Sequence, residues 1–498
     1  MSLPTIWVFG DQLNRGIGAL AGATPLTHRV LFIESTSKIA SRKWHVQRAH
    51  FIVASMRKFA NELRTEGFHV DYRFAHSMRE GFDSHVLEFQ PAEVVATEPN
   101  SYGARQLAAG LGVRTVPSNQ FLCHLDEYQT FLGSRKTIKM EDFYRWQRKR
   151  LNVLMDGDEP MGGRWNFDEE NRQPPPKTGH DRWPEPRRYE LDDVDQNVLE
   201  SVQKHCFGKL PEGQWATTRE GALARLRNFV DHVLPMFGEH EDAMLKSNWH
   251  LAHSLLSPYL NVGLLLPGEV VSAAEKAFQD GNVPMNSAEG FIRQIIGWRE
   301  YIWNCYWQWM PEYAQMNSLG ANKDLPPMFT DPAKTSMACM KSVLTGVNER
   351  SYSHHIERLM VLGNFALIAG INPQQFTRWM WNSYIDAAEW VMVPNVIGMS
   401  QYADGGMLAT KPYASGGAYI DRMSDHCKGC VYDRKKRTGD DACPFTVLYW
   451  DFFLRHQERF VKNPRVARQV RAAQQLQDSE ELQVVAAEMM KKLDSGTI

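Results

Sequence analysis

Short apolar runs alternate with amphipathic stretches through the first 130 residues. Ile6 to Phe9, Val30 to Ile33, Val70 to Phe74 and Val94 to Ala96 are rich in β-branched and aromatic residues and are predicted as strands. Between them, Trp44 to Gly67 and Ser101 to Leu111 place apolar side chains at helical spacing. Gly67 and Gly112 stand where a helix would stop. Strand–helix alternation of this kind predicts a Rossmann-like α/β domain over residues 1–130, with helices on both faces of a parallel sheet. A ligand there is expected at the carboxyl ends of the strands, beside Asp11, Gln12 and Glu34.

The pattern changes twice after that. Residues 131–220 are expected to connect domains, because the stretch from Gly157 to Asp195 lacks apolar periodicity and carries Gly162-Gly163, Pro174-Pro175-Pro176, Pro184 and Pro186. Residues 221–498 read as one large all-helical domain. Helices are predicted over Ala222–Phe237, Ala288–Met310, Ser353–Ala369, Pro373–Val391 and Val447–Phe460.

Composition narrows the class without naming it. The chain has 498 residues, 43% hydrophobic and 23% charged, which excludes a disordered or fibrous chain. The formal net charge of -2 does not advertise a nucleic-acid partner, although a local basic patch is enough to bind one. No apolar run approaches the ~18 residues of a membrane span, and the N-terminus lacks signal-peptide order, so a soluble cytoplasmic protein is expected. Aromatic residues crowd one segment: Trp298, Tyr301, Trp303, Tyr306, Trp307 and Trp309.

The sharpest chemical signal is Cys427-Lys428-Gly429-Cys430 followed by Cys443-Pro444, with Cys339 far upstream. A close thiolate pair grips one corner of a metal centre and the distant cysteines close the cage. Four thiolates suit tetrahedral zinc or a [4Fe–4S] cluster, and the Cys-Pro step is more typical of the cluster. The plain reading, buried thiols without a ligand, stays open at this stage. Cys123, Cys206 and Cys305 have no partners at ligand spacing.

Ser254 and Ser257 precede Pro258 at a helix start, where hydroxyls and free backbone N–H groups favour an anion. Farther on come Phe291 to Tyr301 with Trp298-Arg299-Glu300 at its centre, then His354-His355-Ile356-Glu357-Arg358, then Asp386. On these residues the chain resembles the cryptochrome/photolyase family over essentially its whole length. The resemblance implies FAD, with Ser254 and Ser257 on the pyrophosphate, Arg299 beside the flavin, and Arg358 with Asp386 as an ion pair at its ring.

Met399 to Gly406, Lys411-Pro412-Tyr413, Gly416 to Ile420, the segments 143–150 and 162–172, and the four cysteines are similar to one branch, the iron–sulfur bacterial cryptochromes and prokaryotic (6-4) photolyases. That branch implies a [4Fe–4S] cluster on Cys339, Cys427, Cys430 and Cys443. It also implies a 6,7-dimethyl-8-ribityllumazine antenna, for which Asp11, Gln12 and Glu34 are the candidates. By the same resemblance the helical half is the FAD-binding domain, and the protein acts as a monomer on UV-damaged DNA.

His355, beside His354, stands where (6-4) photolyases keep a proton-donating histidine, a chemically apt choice since small shifts move imidazole across neutrality. Three departures accompany the match. Leu359 replaces the second histidine of the eukaryotic enzymes. Ala388 replaces a flavin-binding Asp. Met392 falls where an asparagine usually faces flavin N5, leaving Asn395 as the substitute. Among Trp379, Trp381 and Trp390, Trp379 is the candidate nearest the flavin.

DNA contact is expected from Arg145, Arg148, Lys149 and Arg150 and from Lys435-Lys436-Arg437 in the cysteine loop. The expected function is light-driven repair of pyrimidine (6-4) pyrimidone photoproducts. A blue-light photoreceptor with little repair is the alternative, and an iron–sulfur nucleic-acid enzyme without flavin a third reading.

Overall fold

The computed structural model describes residues 3–135 and 139–498. Five parallel strands, β1 (Thr5–Trp7), β2 (Arg29–Ser35), β3 (His69–Ala75), β4 (Val94–Thr97) and β5 (Arg114–Val116), lie in the order β3-β2-β1-β4-β5. Apolar residues occupy both faces of the central strands because both are covered. Ile6, Val30 and Phe32 meet Phe51 and Phe59 of the helix Val46–Thr65, while Trp7, Leu31 and Ile33 meet Phe82 and Ala108 on the other side. The chain leaves β1 for β2 and β3 on one side and returns to β4 on the other. The strand order therefore reverses at the carboxyl end of β1, at Gly10-Asp11-Gln12.

The connecting segment is pinned by buried polar groups. Asp195 accepts from His50 (3.0 Å), Lys58 (2.7 Å) and Thr217 (3.2 Å), tying the helix Asp193–Val202 to Val46–Thr65. Arg148 is fully buried and donates to the carbonyls of Val153, Leu154 and Trp165. Glu289 accepts from the Tyr144 hydroxyl (2.7 Å) and the Phe167 amide (3.1 Å), fastening the same segment to the helical half.

The helical half differs from the expected continuous helices in where it bends. Met285–Ile292 runs through a widened turn, Arg293–Arg299, into Glu300–Trp309. The stretch expected over 373–391 breaks into Pro373–Ser383 and Glu389–Val393, with Asp386 in the gap. Wider turns cluster at functional cavities because they re-aim side chains that a regular helix would carry past the site. No helix among the described residues is long and apolar enough to cross a membrane.

Candidate flavin cavity and cysteine centre

A cavity of about 950 Å³ opens into the helical half, lined by residues from 168 to 465. Of the expected flavin residues, Ser254, Ser257, Arg299, Arg358, Asp386 and Asn395 all border it. Arg358 Nη1 donates to Asp386 Oδ1 at 3.0 Å, and its guanidinium lies 4.1 Å from the Tyr384 ring centre. The Ser257 hydroxyl donates to the other Asp386 oxygen at 2.6 Å, and Asn261 Nδ2 to the Asp386 carbonyl at 2.7 Å. Ser257 thus braces the ion pair, while Ser254 stays in the loop before it, next to Leu255 at φ 56°. Asn395 holds Trp298 through Nε1 at 3.1 Å and donates back to Val391.

Arg299 lies over Phe121 (4.1 Å) and donates to the carbonyl of Gln120 (3.0 Å) and to Glu300 (3.2 Å). Burial pulls its guanidinium down to about 10 and pushes Glu300 up to about 7. Arg299 Nε is buried and without a hydrogen-bond partner. Arg299 itself lines the cavity, and a cationic side chain on that wall suits an anionic or carbonyl-bearing cofactor such as FAD.

The two adjacent histidines lie in opposite surroundings. His354 is buried outside the cavity lining, its ring stacked on His253 at 4.4 Å and 16°. Burial, with His355 and Arg358 nearby, drives both rings well below the usual imidazole range, so they are neutral. Nitrogens of His253, His354 and His355 lie within 4.8 Å of one another. Two stacked parallel rings cannot both point their lone pairs in-plane at one ion, so the trio reads as imidazole packing.

His355 has a half-exposed side chain on the cavity wall, its Nε2 3.5 Å from Asp242 Oδ1. Burial works to lower its pKa, but the hydrogen bond to Asp242 and the charges of Glu241 and Asp242 outweigh that and raise it. Glu241, accepting from Gln294 at 3.2 Å, is itself pushed up to about 7 by burial. Neither acid was singled out in the sequence. A carboxylate pair in a helical domain looks like ordinary surface until the fold turns it toward an imidazole.

Trp379 stands one layer behind the wall. Phe376 and Met380 line the cavity, whereas Trp379 packs between Phe329 and Phe376 and donates to the Phe329 carbonyl at 2.8 Å. Trp390 and Trp298 are the indoles that border the cavity.

The four cysteines converge. Cys339 sits in the first turn of Ala338–Arg350, Cys427 and Cys430 in a loop, and Cys443 just before Pro444–Arg455. Burial and the charges of the other three push the Cys339 thiol well up. A single tetrahedral zinc at about 2.3 Å from each sulfur would draw thiols to roughly 3.8 Å spacing. Among the described residues, no three cysteines reach mutual distances of 4.8 Å. The wider cage suits a cluster.

The basic runs are engaged within the protein in part, while Lys149 and Lys435 stay exposed. Arg148 is buried as described, Arg145 pairs with Glu141 (3.0 Å), and Arg150 with Glu127. In the cysteine loop Lys436 pairs with Asp441 (2.7 Å) and Arg437 with Asp478 (3.0 Å). Exposed Lys411, Arg422 and Arg465 border the cavity as well, together with Arg172, which pairs with Asp168 at 3.0 Å. They come from distant segments, so no run in the sequence marks them.

At the sheet, Gln12 Nε2 donates to the carbonyls of Thr97 and Glu98. Glu34 is clamped by Arg57 (2.7 and 2.9 Å) and the Tyr72 hydroxyl (2.8 Å). Burial raises Asp11 to about 6, against lowering contacts from its own backbone, Asn100 and Lys38. All three candidate side chains have protein partners, and they stand at the carboxyl ends of the strands, the place expected for a ligand of this domain.

A parallel sheet followed by a helical half around one deep cavity is the architecture of photolyases and cryptochromes. A bacterial class III photolyase from Agrobacterium tumefaciens covers 99% of this chain, and is itself 98% covered, with TM-score 0.59 at 17% identity. A cryptochrome from Synechocystis covers 96%, and is wholly covered, with TM-score 0.59 at 13% identity. Residues 6–215 match the family described as deoxyribodipyrimidine photo-lyase-related protein. A (6-4) photolyase of Agrobacterium fabrum is 41% identical over 511 residues, spanning 98% of this chain and 99% of that one. The chain belongs to the photolyase/cryptochrome family, and that membership implies FAD.

Proposed function

We propose that the protein is a (6-4) photolyase, using light to return pyrimidine (6-4) pyrimidone photoproducts in UV-damaged DNA to intact bases. The observation that carries this reading is His355 on the cavity wall, held toward its protonated form by Asp242, in a chain so extensively identical to a (6-4) photolyase.

FAD in its reduced form supplies the excited electron when bound. Arg358, Asp386 and Ser257 form the polar clamp beside which its ring would rest, and Arg299 offers the unpartnered N–H. Lys411, Arg422, Arg465 and Arg172 receive the phosphates of the strand whose damaged dinucleotide flips into the cavity. His355, with Nε2 directed to Asp242, keeps Nδ1 for the lesion and donates its proton there as negative charge develops. Phe291, Ile295 and Leu359 exclude water from the inner wall.

The four cysteines hold a [4Fe–4S] cluster that braces Cys339 against the 427–443 loop, supported by their convergence and wide spacing. Iron and acid-labile sulfide analysis of purified protein tests this: four of each are expected, and stoichiometric zinc would overturn it.

The function is tested with an oligonucleotide carrying one thymine (6-4) lesion, under blue light and in darkness, with reduced protein. Restoration of thymines only in the light is expected. A protein that binds and photoreduces FAD but never converts the lesion would be a photoreceptor instead.

A further inference from the structure

The parallel sheet ends in two unlike edges. β5, at one end, is three residues long, whereas β3, at the other, runs for seven and has β2 as its only sheet neighbour among the described residues. Such an edge presents a row of backbone N–H and C=O groups that another strand can pair with. Phe74 is 66% exposed on it, and Val70 and Tyr72, on the same face, are half-buried. None of the seven residues borders the cavity.

On the opposite face Asp71 and Arg73 are held in place by the helix Met78–Phe89. Asp71 accepts from His85 Nδ1 at 2.6 Å, and Arg73 donates to Ser84 at 2.8 Å, to Glu88 at 2.6 Å and to Asp71. Charges on an edge ordinarily repel a second strand, but this edge is complementary to its own reverse. When two copies meet antiparallel with Tyr72 opposite Tyr72, Asp71 of each faces Arg73 of the other, and Val70 of each faces Phe74 of the other. Facing residues must share a side of the sheet, so the register slides in steps of two residues. One step in either direction sets Asp71 against Asp71 or Arg73 against Arg73, and like charges directly opposite are destabilising.

We propose that β3 is a self-association edge: a second copy of this chain adds its own β3 antiparallel to the first, in that one register. The two five-stranded sheets then become one continuous sheet about a two-fold axis at Tyr72. The occupant is a second copy because an unrelated strand would have to supply the same Asp and Arg order, which the chain itself carries. Asp71 and Arg73 are already fixed by their own helix, so little side-chain freedom is lost when the copies meet. This association departs from the monomer that the family resemblance implies. The edge lies apart from the cavity, so the inference stands independently of the function proposed there.

The test follows the full chain by sedimentation velocity from about 1 to 100 µM, the span in which a small strand-to-strand interface associates. The weight-average mass is expected to climb from that of one chain toward that of two. Phe74→Lys, at an exposed site, should weaken association about tenfold by removing both Val70–Phe74 pairs. Register is read with single cysteines. Tyr72→Cys should give a disulfide-linked dimer under diamide, since residues facing each other across antiparallel strands lie about 4.5–5.5 Å apart between Cα atoms, within disulfide reach. Val70→Cys should not, its counterpart in the other copy being displaced by roughly 13 Å along the strand. Far-UV circular dichroism and thermal midpoints matching the parent's show that each variant is folded. A parent that stays single across the range overturns the proposal. So does a dimer that Phe74→Lys leaves intact, or one that Val70→Cys crosslinks as readily as Tyr72→Cys.

Discussion

Two sides of the cavity use the same side chain for different ends. On the inner side His354, buried, stacks face to face on His253, which is half-buried at the cavity lining, and desolvation holds both rings well below the usual imidazole range. On the outer side His355, the very next residue after His354, is half-exposed and faces Asp242 and Glu241, which hold its proton. Residue type alone therefore says little about protonation. A few ångströms of burial and two carboxylates convert a packing ring into a candidate acid.

The comparison breaks most visibly at His355. His355→Ala should lower lesion repair by about 10²–10⁴-fold, the range for losing a general acid, with FAD content unchanged. Equal losses in repair and FAD content would instead make His355 a structural residue. Next in size is the clamp beside the proposed flavin site: Asp386→Ala leaves the partly buried Arg358 without its ion-pair partner and should cost up to about 3 kcal/mol of stability. Denaturant unfolding and FAD retention read this directly.

A smaller effect sharpens the outer side. Because the His355 pKa is raised, the protonated ring persists below the ordinary value near 6.5 and is lost as pH rises through the raised value. Asp242→Asn should therefore shift the alkaline limb of the repair profile to lower pH, and an unmoved limb would separate Asp242 from the proton donor.

The smallest effect belongs to the inner side, where the sign reverses. His253 and His354 have depressed values, so below about 6.5 the unfolded chain binds protons that the native pair refuses. Their contribution is intact above that pH and lost as pH falls beneath it. His354→Phe should flatten the acid-side decline in thermal stability by about 1 kcal/mol.

Much of the scaffold could be read beforehand because its signals are local. Val30 to Ile33 and Val70 to Phe74 fall inside β2 and β3, and the Gly-Pro-rich stretch indeed carries little regular structure. β5 escaped notice since Arg114–Val116 is short and half-exposed, with no apolar run to mark it. Helix breaks at Asp386 and at Arg293–Arg299 also leave no periodic trace, because tertiary contacts such as the Asp386–Arg358 pair impose them.

In the site, Arg299, Arg358 and Asp386 were visible as a motif, and they do gather at one cavity. The basic rim was not. Arg172, Lys411, Arg422 and Arg465 come together only through folding, whereas in the compact run at 145–150 Arg148 is spent on buried carbonyls, Arg145 and Arg150 pair with acids, and Lys149 stays exposed.

The central claim, that His355 acts as the acid in light-driven repair, is tested most directly by one comparison. Reduced parent protein and His355→Ala, matched for FAD, are given a thymine (6-4) oligonucleotide under blue light, and intact thymines are counted per photon absorbed. The account predicts efficient, strictly light-dependent conversion by the parent and near-complete loss in the variant. Equal conversion by both would contradict it.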